Sequence, residues 1–274
     1  MRQTTVISIL ALLTGCSRPA QYPRNVVVNE LPCTRGELPA YAHNDYENDT
    51  PLFDALSLGY RGVEADVFLV NGVLRVGHSR PLAERGGSLE ALYLVPLRSL
   101  VSRCGGLSSD ARRFLLTIEL KEASLQAYQA LVSLLQRYEF GISSAYGKAV
   151  QIVLVGWHPQ KSQVPTGGLF GLQFRIERPD EQIPPGLSRG IGLLSVDFGQ
   201  NVASDWRYAA SRAAWLQCLR LTKAAFPDRL IRVHNVPVDS TIYASLLTAG
   251  VDLLGVRELR SARRLLLKLG SGRE

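Results

Sequence analysis

Ala42-His43-Asn44-Asp45, Gly62-Val63-Glu64-Ala65-Asp66-Val67 and Arg75-Val76-Gly77-His78-Ser79 are pieces of one stretch, Tyr41 to Ser79. Each closes or interrupts a short apolar run with groups that carry protons or bind cations. Alternation over Gly62 to Val70 predicts a strand, with Val63, Ala65, Val67 and Leu69 on one face and Glu64, Asp66 and Phe68 on the other. Asn71-Gly72 is a strong hairpin turn signal. The returning Val73 to Gly77 therefore delivers His78 beside the strand that bears both carboxylates. Upstream, Ala40 to Ala42 reads as a short strand ending at His43, and Leu52 to Leu58 as a short helix closed by Gly59.

Strand and helix signals go on alternating downstream. Strands are expected at Phe114–Lys121, Val150–Val155, Leu169–Arg175, Ile191–Phe198, Leu230–His234 and Val251–Gly255. Helices are expected at Leu89–Cys104, Leu125–Tyr138, Tyr208–Phe226, Ser240–Thr248 and Leu259–Leu269. This order predicts an α/β protein with a single (β/α)8 TIM barrel over residues 39–274, a doubly wound open sheet being the alternative. The length of 274 residues and the 46% hydrophobic content suit one such domain.

The first residues read as a targeting segment. Arg2 precedes an apolar core, Val6 to Leu13, that is too short to span a bilayer. Leu13-Thr14-Gly15-Cys16 resembles a bacterial lipobox. Residues 1–15 are therefore expected to be a lipoprotein signal peptide, Cys16 a lipidated anchor and residues 16–38 a tether. The expected location is the bacterial cell envelope, as a periplasmic-facing membrane lipoprotein held by its N-terminal lipid. The net charge of +7 comes from scattered basic residues, and no nucleic-acid motif is present, so nucleic acid is not an expected partner. Of the remaining cysteines, Cys33 and Cys104 lie outside core elements and form the expected disulfide, whereas Cys218 reads as a small buried hydrophobe.

In barrel enzymes the working groups sit at the C-terminal strand ends. All four histidines (His43, His78, His158 and His234) fall at predicted strand ends. Glu64 and Asp66 share a strand face, and Glu119 on the next strand is about 5 Å away. Ionised acids this close need an offsetting positive charge. Three carboxylates suit one hard divalent cation, Mg2+ or Ca2+. Pairing with Lys121, Arg61 or Arg75 in a structural salt network is the alternative. Lys121, two residues past Glu119, can present its charge to a phosphate oxygen, while His43 and His78 can transfer protons. Together these groups would serve a phosphodiester.

The same residues resemble the glycerophosphodiester phosphodiesterase / phosphatidylinositol-phospholipase-C-like superfamily, with its first histidine, Glu-x-Asp strand and second histidine after a hairpin. Ala42 to Tyr46, Val63 to Val67 and Val76 to His78 resemble more closely the branch typified by altered inheritance of mitochondria protein 6. Thr117 to Lys121 is similar to the family's acid-x-Lys strand, and Ala249 to Leu254 to its entry into strand eight. The resemblance implies metal at Glu64, Asp66 and Glu119, and acid–base work by His43 and His78. It further implies attack on phosphorus by a substrate hydroxyl, after which water opens the cyclic product. Asn44 stands where the family has an arginine and is assigned with Lys121 to substrate binding. Ser79 and Val256-Arg257 also depart from the family pattern, so the phosphate pocket is expected to be remodelled. The expected activity is a metal-dependent phosphoric diester hydrolase acting on a glycerophosphodiester, a lipid headgroup or another lipid-like phosphodiester. The rival readings are a non-catalytic barrel that binds phospholipid or phosphosugar, and a phospholipase-D-type enzyme that releases a cyclic phosphate.

Overall fold

The alternating pattern at Gly62–Val70 becomes β2, whose valine-rich face packs against helices while Glu64 and Asp66 point into the lumen of a barrel. The computed structural model describes residues 33, 36–107, 113–139, 149–159, 170–181, 183 and 191–271. Its strands are β1 (Ala40–Ala42), β2 (Gly62–Val70), β3 (Val73–Val76), β4 (Phe114–Leu120), β5 (Val150–Gly156), β6 (Gly171–Arg175), β7 (Ile191–Asp197), β8 (Leu230–His234) and β9 (Leu253–Val256). Eight of these pair in parallel in the order β1-β9-β8-β7-β6-β5-β4-β2, and the β1–β2 pairing closes the ring. β3 pairs antiparallel with β2 outside that ring. The fold is the (β/α)8 barrel, and closure excludes the open sheet.

Two apolar layers surround the strands. The larger fills the space between strands and helices, from Val63 and Val67 on β2 to Trp215, Leu246 and Leu266 on the outer helices. The smaller lies in the lumen, where Tyr41, Leu115, Val153, Leu193 and Leu253 form a floor. Above it the lumen turns polar with Glu64, Thr117, Ser195 and Arg232. A parallel barrel is filled by such side-chain layers, and its chemistry sits on the last one.

Two helical pieces had no sequence signal. Arg80–Arg85 is under two turns long, too short for a period to register. Its chain comes so close to the end of β3 that a Cβ on Gly77 would meet the Ala83 nitrogen at 2.5 Å. Downstream, β7 stops at Asp197 because that side chain accepts from the Gln200 N–H and starts a helical run to Trp206. β6 joins β5 at two register positions and is irregular against β7.

Cys33 and Cys104 are disulfide-bonded, joining the segment before β1 to the end of the helix Val95–Cys104. Cys218 is buried. Packing begins before the expected end of the tether, since Leu38 is buried and bridges to Tyr60. Cys16 and the expected leader lie outside the described residues. Among the described residues no helix is long and apolar enough to cross a membrane. The disulfide closes a loop of 71 residues, for which chain entropy gives roughly 4 kcal/mol. Cys104→Ser is expected to lower the urea-derived unfolding free energy by about 2–5 kcal/mol, and an unchanged midpoint would contradict this.

Candidate active site

The site begins with an ion pair inside the lumen. Arg232 on β8 donates from Nη1 to Glu64 Oε1 at 3.2 Å, and the side chains are 1% and 3% exposed. The rest of the guanidinium is also engaged. It donates to Tyr41 Oη at 2.7 Å, to Gln173 Oε1 at 3.1 Å and to Ser195 Oγ at 3.1 and 3.2 Å. It also stacks 4.9 Å from the Tyr41 ring centroid. Burial pushes the Glu64 carboxyl up, but the charges of Arg232, His43 and His234 outweigh it and hold it down to about 2. Glu64 is therefore a fixed anion.

One level up, Asp66 is register partner to Glu119 on β4. Asp66 Oδ2 accepts from Tyr46 Oη at 2.7 Å and lies 3.1 Å from His78 Nδ1 and 3.3 Å from Lys121 Nζ. Lys121 also reaches Glu119 Oε1 at 3.3 Å. Asp66 Oδ1 is buried and unpartnered. Burial raises the Asp66 carboxyl, Glu64 raises it further, and Lys121 opposes them. Burial and the Asp66 charge likewise raise Glu119.

His43 leaves β1 with Nε2 3.3 Å from Glu64 Oε2. Burial pulls its pKa down to about 4, against the Glu64 charge and with help from His234, Arg232 and Arg257. The ring meets that of His234 edge to face, with centroids 5.3 Å apart. His234 lies between Ser195 Oγ, 3.3 Å from Nδ1, and Asp197 Oδ2, 3.4 Å from Nε2. Gly255 on β9 leaves the room this ring needs, for a Cβ there would meet His234 Cβ at 2.6 Å.

Of the residues singled out in the sequence, the fold gathers His43, Asn44, Glu64, Asp66, His78, Glu119 and Lys121 at one mouth. Asn44 is 3% exposed and adopts left-handed backbone, which asparagine tolerates better than most residues. Its N–H reaches Glu64 and its Nδ2 donates to Glu47. His158 stands apart, exposed and 3.1 Å from the Pro159 carbonyl. Arg75 donates to the Gly86 carbonyl, and the guanidinium that meets Glu64 is Arg232. Sequence reasoning missed Arg232, although it lies two residues before His234 and so shares its face. It also missed Tyr46, which sits on an irregular turn (Asp45–Glu47) that no period marks.

The donor set fits a hard cation. Glu64, Asp66 and Glu119 each offer an oxygen, with the three atoms within 4.8 Å of one another. The unpartnered Asp66 Oδ1 and two acids raised by burial and mutual repulsion are what a divalent ion would relieve.

Residues 34–113 match the family model of the AIM6-like phosphodiesterase domain. Altered inheritance of mitochondria protein 6 from Eremothecium gossypii is 27% identical over 212 residues, covering 69% of this chain and 51% of that protein. The chain spans about half the length, or less, of the curated relatives it matches. Among solved structures, a glycerophosphodiester phosphodiesterase from Parabacteroides distasonis superposes with a TM-score of 0.55 at 13% identity, over 86% of this chain and 99% of that one. An Oleispira antarctica phosphodiesterase, solved in complex with the product sn-glycerol-3-phosphate, gives 0.51 at 15% identity, over 84% and 97%. Mycobacterium tuberculosis tryptophan synthase gives 0.52 at 16% identity over 88% and 93%, so structural likeness at this level carries the fold alone. The family match and the sequence relatives support the phosphodiesterase superfamily. Within it they support the branch of altered inheritance of mitochondria protein 6.

The relatives also correct one expectation. They are fungal, which overturns the placement in a bacterial cell envelope as a periplasmic-facing lipoprotein. That placement rested on a four-residue pattern ending at Cys16, far less specific than a match over 212 residues.

Arg232→Ala is expected to cost about 3–5 kcal/mol of stability by stranding the buried Glu64 charge. Adding Glu64→Gln should restore much of it in a urea-unfolding cycle. Asp45, buried beneath the same turn, accepts from the Leu52 N–H and from Tyr93 Oη, and burial pushes it up to about 7. Its folded pKa is raised, so its contribution is complete below the ordinary carboxylate range and is lost as pH rises through about 7. Asp45→Asn should therefore flatten part of the fall in stability between pH 4 and 7, measured by denaturation across that range.

Proposed function

We propose that the chain is a metal-dependent phosphoric diester hydrolase that acts on a glycerophosphodiester or a lipid-like phosphodiester. The observation that carries this reading is the convergence of Glu64, Asp66 and Glu119 within 4.8 Å, with His43 3.3 Å from one acid and His78 3.1 Å from another. The phosphodiesterase-domain match supports it.

Held by the three acids, Mg2+ or Ca2+ would neutralise charge on the non-bridging phosphate oxygens. Lys121, anchored by Asp66 and Glu119, adds a second positive charge to the same task. Glu64 stays ionised, so His43 turns its Nε2–H toward that carboxylate and keeps its lone pair on Nδ1, which is buried and unpartnered in the free protein. Held neutral by burial, His43 serves as the proton acceptor in this reading. Asp66 accepts the Nδ1–H of His78 and leaves its other ring nitrogen to donate to the departing oxygen. Tyr46, 2.7 Å from the same Asp66 oxygen, steadies that pair.

Hydrolysis of bis(p-nitrophenyl) phosphate by the wild type with Mg2+ or Ca2+ tests the reading. Chelation should abolish turnover. His43→Ala and His78→Ala should each lower kcat/KM about a hundredfold or more, with circular dichroism unchanged. Full activity in either variant would overturn these roles.

A further inference from the structure

A guanidinium at the mouth, whose charge helps to hold His43 neutral, has no substrate contact in the chemistry above. Arg257 follows β9, the last strand of the ring, and so stands on the C-terminal rim. Ala42 and Val256 are register partners, and the His43 N–H donates to the Val256 carbonyl at 2.9 Å. His43 and Arg257 therefore leave neighbouring strands side by side. The ring order β9, β1, β2, β4 sets Arg257 on one flank of Glu64 and Asp66 and Lys121 on the other.

The Arg257 side chain is 53% exposed and meets the 48% exposed Glu47 at 3.8 Å, Nη1 to Oε2. The other Glu47 oxygen accepts from Asn44 Nδ2 at 3.3 Å. A carboxylate is thus held between an amide and a guanidinium, one oxygen on each, beside His43. Contacts this long and this exposed hold weakly. Carboxylate and phosphate offer a guanidinium the same paired oxygens, and the loops after the last strands of such barrels are frequent phosphate sites.

Resting on the phosphodiesterase reading, we propose that Arg257 binds the substrate's phosphate oxygens, and that Glu47 holds its place in the free protein and yields to them. Arg257 then grips the ground-state anion from the side opposite Lys121, so its removal weakens binding more than it slows the chemical step. Glu47 competes with the substrate and sets how tightly a phosphate is held.

Calorimetric titration of inorganic phosphate and of sn-glycerol 3-phosphate into the Mg2+-supplemented protein tests this, beside kinetics on bis(p-nitrophenyl) phosphate. Arg257→Ala should weaken both anions and raise KM about tenfold or more, with kcat changed by less than about threefold. Arg257→Lys should recover part of the loss, and Glu47→Gln should tighten binding. Equal anion affinities in wild type and Arg257→Ala overturn the proposal, as does a wild type that binds neither anion. A Glu47→Gln variant that binds no tighter overturns the part given to Glu47. If the wild type turns over no phosphodiester yet loses anion binding in Arg257→Ala, Arg257 is upheld and the hydrolase reading falls.

Discussion

The site depends on a charge that the barrel has taken out of water. Glu64 and Arg232 come from strands 168 residues apart in sequence and meet across the lumen, both almost wholly buried. Removing either charge from water is unfavourable by several kcal/mol unless the partner and its hydrogen bonds are in place. Arg232 meets that condition through Tyr41, Gln173, Ser195 and Glu64, which belong to four other staves. The arrangement closes only if the ring closes, so the register of distant strands and the ionisation of one carboxylate are coupled.

From that anion the mouth is built outward on two flanks. Glu64 faces His43, and His43 faces His234, which is steadied by Asp197. On the other flank Asp66 gathers Tyr46, His78 and Lys121 on one oxygen, which leaves its second oxygen free to meet a cation. The two histidines thus stand in different settings. His43 is enclosed and held neutral, whereas the His78 side chain is 54% exposed. A pair of imidazoles with unlike environments is what a reaction with one proton acceptor and one donor requires.

Much of this was legible in the chain because period-two alternation fixes faces. The pattern at Gly62–Val70 put Glu64 and Asp66 on the same side, and Asn71-Gly72 brought His78 back to them. The strand bearing Glu119 and Lys121 followed by the same logic. Arg232 was less visible because a lone arginine in a five-residue strand has the look of a solvated surface until closure puts it indoors. Tyr46 and Asp45 act from a turn opened by the left-handed Asn44, where the geometry comes from the fold rather than from any repeat. The pairing of Cys33 with Cys104 was readable by elimination of core positions, whereas the position of Glu47 between Asn44 and Arg257 was not, since it joins two ends of the barrel sequence.

Among the described strands β3 pairs with β2 alone and lies outside the closed ring of parallel strands. His78 follows its end, so one of the two imidazoles at the mouth is mounted on an outrigger while the other is set in the hull. Lineages that lengthen, shorten or retune this arm can change the reach of His78 without disturbing a single ladder that keeps the vessel closed.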